Sequence, residues 1–217
     1  QVEAGGFVPA GVYDAEGATG DDFRTVGGDY YKPTDADYEA NCEEARALLA
    51  EAGYENGEGF PVVEYLYNTS DAHKAVAEAL QYMWEEELGV KVTLNNQEWA
   101  AFLQTRKDGD YSIARNGWIA DYNDPISFLD MWMTGGGNND AQYSNEEYDS
   151  LIKEAKTTTD VKERMELLHK AEDKIIGEDN ALAPLYFYTQ KYMLADGIEG
   201  MYYCPLGYFF FGYTHQA

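Results

Sequence analysis

The residues most able to do chemistry crowd into one stretch, Arg106 to Asp124, and one outlier, His73. The chain carries 40 acidic residues against 15 lysines and arginines, a formal net charge of −25. In that background Arg106, Lys107 and Arg115 stand out as cations close to a segment, 111–117 (YSIARNG), that reads as a strand. Trp118 and Asp121 follow where this strand would run into a loop. Ligands of open α/β sheets bind beyond the carboxyl ends of strands. Any one of these residues alone reads as an ordinary surface or core position; together they mark a candidate binding site. His73 falls in the first turn of a helix that Ser70 is placed to cap, where the helix dipole and free N–H groups favour an anion. An imidazole there adds a donor to a carboxylate.

Catalytic chemistry finds little support. The sequence holds no G-x-S-x-G, no H-E-x-x-H and no Walker loop, and the GGGNND run lacks the Lys-Ser/Thr that a phosphate loop needs. His73, His169 and His215 are too widely spaced for a metal site, so no metal and no cofactor is expected. With so many acids, carboxylate pairs arise by chance and carry little weight for a hydrolase. The negative charge repels nucleic acid and anionic membrane. Cys42 and Cys204 do not make a disulfide framework, and the sequence leaves them open to pair or stay free. No apolar run reaches the roughly 18–20 residues of a membrane span. The 19 tyrosines combine a large apolar face with a polar tip, a composition suited to wet, adaptable binding surfaces.

The elements that must position these residues follow from periodicity. Residues 1–33, rich in Gly and Asp and including Pro33, read as loop. Tyr38, Cys42, Ala45, Leu49 and Ala52 share one helical face, ended by Gly53. Strands are expected at 62–67, 90–95 and 111–117, with helices behind Ser70, over 98–107 and over 125–133. Two capped helices follow, one opened by Ser144 with Glu147, the other by Asp160 with Glu163 and carrying Val161, Met165, Leu168 and Ile175 inward. Residues 182–194 read as strand pairs. Alternating strands and helices predict an α/β fold with a mixed central sheet flanked by helices. Residues 1–217 are taken as one α/β lobe, with 1–33 and 197–217 peripheral and least regular.

In order along the chain, GGFVPAGVY (5–13), NTSDAHK (68–74), GVKVTLNNQEWAAFLQTR (89–106), ARNGWIADYNDPISFL (114–129), YSNEEYDSLIKEA (143–155), the helix with Arg164 and Leu167, and APLYFY (183–188) resemble the C-terminal lobe of extracytoplasmic oligopeptide-binding proteins, the family 5 solute-binding proteins. The resemblance implies a periplasmic-binding-protein-like lobe of type II, peptide-binding cluster, cut from a longer two-lobed protein. It also implies a solute-binding component of an ABC importer, not an enzyme. Asp121 of W-x-A-D-Y would meet the peptide α-ammonium. His73, Arg106 and Arg115 would hold its carboxylate. Trp99 and Trp118 would line side-chain pockets.

The implied partners are the oligopeptide and the permease subunits. The protein would act as a monomer in the periplasm or on the cell surface, touching the membrane only through a lipid anchor outside this segment. The segment alone would bind peptide weakly. Some family members carry a bonded cysteine two residues before the motif aspartate; Ile119 stands there in this chain, so that staple is not expected. Alternatives on the same fold are a dipeptide or a sugar. A secreted carbohydrate hydrolase or a surface interaction module would be further readings.

Overall fold

A computed structural model of the chain describes residues 1–217 apart from 32, 33, 35, 205 and 206; Pro33 thus lies outside the described residues. In chain order the elements are β1 (Val2–Glu3), α1 (Phe23–Gly27), α2 (Tyr38–Glu51), β2 (Val63–Asn68), α3 (Asp71–Leu88), β3 (Val92–Gln97), α4 (Trp99–Asp108), β4 (Ile113–Ala114), α5 (Ile126–Leu129), α6 (Glu146–Ala155), α7 (Val161–Glu172), β5 (Tyr186–Phe187), β6 (Ile198–Glu199), β7 (Tyr202–Cys204), β8 (Tyr208–Phe210) and β9 (His215–Gln216). The chain divides into two compact units. The first gathers Gln1–Tyr31, Trp118–Met133 and Asn145–Ala217; the second gathers Lys32–Gly117 and Thr134–Ser144.

The second unit contains a parallel sheet in the order β3-β2-β4. Its register pairs Tyr65 with Leu94 and with Ile113, and Leu66 with Ala114. A central parallel strand buries both faces. In β2, Tyr65 and Tyr67 pack on one side with Ala77 of α3, Val90 and Val92, and Leu49, Leu80, Trp84 and Leu88 complete that cluster. Leu66, on the opposite face by strand alternation, is fully buried, as is Phe102 of α4, the helix that packs against β2 and β3. Gly89 ends α3 in the left-handed conformation at φ 66°, and a Cβ there would meet the Asn56 carbonyl oxygen at 2.2 Å. Glycine is therefore the residue that lets the chain turn from α3 into β3. The predicted third strand shrinks to Ile113–Ala114.

In the first unit helices outweigh strands, and among the described residues its strands form three short antiparallel pairs: β1 with β5, β6 with β9 and β7 with β8. Antiparallel strands therefore occur, but as separate pairs. The 182–194 stretch supplies only Tyr186–Phe187, paired to Val2–Glu3. Residues 1–31 carry more order than their composition suggests: Val8 and Phe23 are fully buried. Glu172, fully buried at the end of α7, accepts the N–H groups of Phe7 and Val8 at 2.8 Å each and Nη1 of Arg24 at 2.9 Å. One carboxylate thereby pins the glycine-rich opening segment to a helix about 165 residues away.

Asp160 caps α7 as its position predicts, accepting from Lys162 and Glu163 N–H. The cap of α6 is Asn145, one residue beyond the expected Ser144, and accepts from Glu147 and Tyr148 N–H. Met165, Leu168 and Ile175 are buried, whereas Val161, the first residue of α7, is 51% exposed. Cys42 and Cys204 are free thiols. Among the described residues no helix is long and apolar enough to cross a membrane, and no His, Cys, Asp and Glu cluster could hold a metal.

Candidate ligand-binding site

The candidate residues of the second unit gather at the carboxyl ends of its parallel sheet. From β2 the chain crosses to β3 on one side, then returns past β2 to β4 on the other. Neighbouring strands whose connections leave in opposite directions open a crevice at their carboxyl ends. Here those strands are β2 and β4, ending at Asn68 and Ala114. Arg115 follows directly, its N–H donating to the Leu66 carbonyl at 2.8 Å, so the ladder fixes its backbone. Its Nη1 donates to Asn68 Oδ1 at 3.3 Å.

His73 belongs to the same cluster. It lies in the first turn of α3, half-buried, and hydrogen-bonds the Asn68 backbone. Burial, and then the Arg115 charge, push its pKa below the usual imidazole range, against the raising effect of that bond. Neutral imidazole is thereby favoured until an anion arrives. Ser70 takes the N-cap position, but its side chain makes no capping bond. The first-turn N–H groups of α3 therefore gain no partner from that hydroxyl.

Arg106 and Trp99 lie on α4. Trp99, Phe102 and Arg106 recur at helical spacing: Trp99 stacks on Phe102 with ring centroids 5.7 Å apart, and the Arg106 guanidinium lies 5.2 Å from the Phe102 centroid. Trp99 stays 52% exposed. Arg106 is committed to the protein itself. Its Nε donates to Asp140 Oδ2 at 2.7 Å and its Nη1 to Asn116 Oδ1 at 2.8 Å, with only 13% of the side chain exposed. Tyr111 donates to the Asp140 carbonyl at 2.9 Å. Burial and the Asp140 charge raise its pKa, which keeps it a donor. Arg106 thus ties the segment 134–144 to α4. The residues that sequence reasoning missed here are Asn68, Asn116 and Asp140.

Trp118 and Asp121 belong to the first unit. The Trp118 indole donates to the Ser127 carbonyl at 2.6 Å, and the Asp121 N–H donates to Ser127 Oγ at 2.9 Å. Ser127 is buried in α5. Asn123 accepts from Tyr13 N–H at 2.8 Å and donates to the Gly11 carbonyl at 3.0 Å. Asp124 accepts the Ile126 N–H at 2.9 Å, starting α5, and takes two bonds from Arg164 at 2.8 and 2.9 Å. The loop is fixed from three sides. Asp121 itself is exposed, and its carboxylate has no hydrogen bond or ion pair among the described residues. Such a group is held in place yet open to an incoming cation. Ile119 beside it is 71% exposed.

Residues 10–140 match the bacterial extracellular solute-binding proteins, family 5 (middle region), and the chain belongs to that family. It is 38% identical over 205 residues to the dipeptide-binding protein DppE of Bacillus subtilis, covering 92% of this chain and 36% of that protein. It is 42% identical over 158 residues to the periplasmic oligopeptide-binding protein OppA of Salmonella typhimurium, covering 73% of this chain and 29% of that protein. The chain thus spans about a third of the length of these curated relatives. The substrate-binding domain of an oligopeptide ABC transporter from Bacillus anthracis superposes with a TM-score of 0.76 at 30% identity, covering 99% of this chain and 40% of that structure.

Proposed function

We propose that the protein is the solute-binding component of an ABC importer, which captures oligopeptides outside the membrane and delivers them to the permease. It binds without transforming its ligand. It works as a monomer. The single observation that carries the reading is the Asp121 carboxylate: exposed, without an internal partner, on a loop anchored by Ser127, Asn123 and Asp124. Relatives named for dipeptides and oligopeptides support it. Asp121 receives the peptide α-ammonium, where a charge-assisted hydrogen bond is strong and fixed in geometry. His73 and Arg115 receive the carboxylate, while Arg106 keeps to Asp140 and Asn116. Trp99 offers its exposed face to side chains. Trp118, whose N–H is already used, offers its ring. Pockets of this kind tolerate varied side chains because bridging water is nearly as good as direct contact.

A dipeptide is the second reading, favoured by the match to the dipeptide-binding relative over 92% of this chain. Titration calorimetry of the full-length protein with di-, tri- and tetrapeptides and a panel of oligosaccharides tests both. Heat on peptide addition alone is expected, and the length that binds best separates the two readings. Binding of a sugar with none of any peptide would overturn the proposal.

A further inference from the structure

We infer that Arg164, on α7, is a positioning residue for N-terminal recognition: it sets the place of the Asp121 carboxylate without touching the ligand. The inference rests on the reading of Asp121 as the ammonium site. Arg164 grips both carboxylate oxygens of Asp124 at 2.8 and 2.9 Å. Such a fork-to-fork pair fixes orientation as well as distance. Asp124 Oδ1 also accepts the Ile126 N–H, so the same carboxylate sets where α5 begins. One residue into α5, the buried Ser127 takes the Asp121 N–H on its hydroxyl and the Trp118 indole on its carbonyl. Arg164, Asp124, the first turn of α5, Ser127 and Asp121 thus form one continuous chain of short contacts. Asp160 caps α7 four residues before Arg164, which fixes the rotation of the helix that presents the guanidinium. The second anchor of the loop, Asn123 on Gly11 and Tyr13, holds it from the other side. Losing the Arg164 grip should therefore let the loop shift without unfolding it.

The readout is the ratio of dissociation constants for an N-acetylated and a free tripeptide, measured on the full-length protein. A general loosening weakens both peptides equally and leaves the ratio intact; misplacing Asp121 weakens only the free one. Arg164→Gln is expected to lower the ratio roughly tenfold, within the range shown by groups coupled through one hydrogen-bond network, with the acetylated peptide changed by less than about twofold. Arg164→Lys, which keeps the charge but loses the two-point grip, should fall between, and it decides the matter if Arg164→Gln does not fold. Asp121→Ala should abolish the ratio. If Asp121→Ala abolishes it and both Arg164 variants keep it, the inference is overturned while the ammonium reading stands. If Asp121→Ala also keeps it, the ammonium reading falls and takes the inference with it.

Discussion

The Asp121 loop and the cluster around Arg115 place charge by different means. In the loop, nearly every polar group except the Asp121 carboxylate is spent on scaffolding. Ser127 serves two partners, Asn123 two and Asp124 three donors. Around Arg115 the sheet does the positioning. A ladder bond holds the backbone, and the cation shares Asn68 with its neighbourhood. An irregular segment must use side chains to satisfy its backbone and fix its shape, while strand ends inherit their geometry from the ladder. The loop is therefore sensitive to residues far along the chain, and the strand ends mainly to their immediate neighbours.

The largest expected effect falls on the frame of the first unit. Glu172→Ala takes from the buried Arg24 its close, buried carboxylate, leaving only the exposed Asp29 at 3.7 Å, and frees the Phe7 and Val8 N–H groups. A loss of about 3–5 kcal/mol is expected in denaturant unfolding, the cost of breaking a buried pair from one side. A loss under about 1 kcal/mol, the worth of an exposed pair, would show that the segment is not held there.

The next effect separates the two cations of the second unit. Arg115→Ala should cost about 2–4 kcal/mol in affinity for peptides with a free carboxylate and leave C-amidated peptides unchanged, as calorimetry would read. Arg106→Ala should act first on stability, by about 1–3 kcal/mol, because it leaves the mostly buried Asp140 without its partner. Equal losses of C-terminal discrimination in the two variants would erase the distinction.

The smallest effect is a titration. The pKa of His73 lies below its unfolded value, so between the two the folded state binds fewer protons. Its contribution to stability therefore rises with pH through that window, is lost as protonation sets in, and is flat above the unfolded value of about 6.5. Arg115→Gln removes one of the two causes and should move the His73 resonance midpoint upward; a bound peptide carboxylate should do the same. A midpoint indifferent to both would contradict the cluster.

Where the candidate residues fall in the fold was legible because it is written locally. Arg115 follows a strand, His73 sits in a first helical turn, and the polar loop after Trp118 announces itself by composition. The α/β alternation of the second unit was legible for the same reason, with the edges of β2, β3 and α4 displaced by a residue or two and the third strand cut to Ile113–Ala114. What escaped was encoded across distance. Arg164 meets Asp124 from 40 positions away, Asp140 meets Arg106 from 34, and Glu172 meets Phe7 from 165. No periodicity links such pairs. The opening segment read as loop because its order comes from a carboxylate at the far end of the chain, and α6 is capped by Asn145 because adjacent Ser and Asn are equally able caps that only the backbone path distinguishes.

Recognition of a peptide by its charged termini stands or falls on Asp121. Tripeptide binding to the full-length protein should be compared for the parent and Asp121→Ala, each with a free and an N-acetylated ligand. Either change alone is expected to cost about 2–5 kcal/mol, and the two together little more than one, because both remove the same ion pair. Unchanged affinity in all four combinations would contradict it.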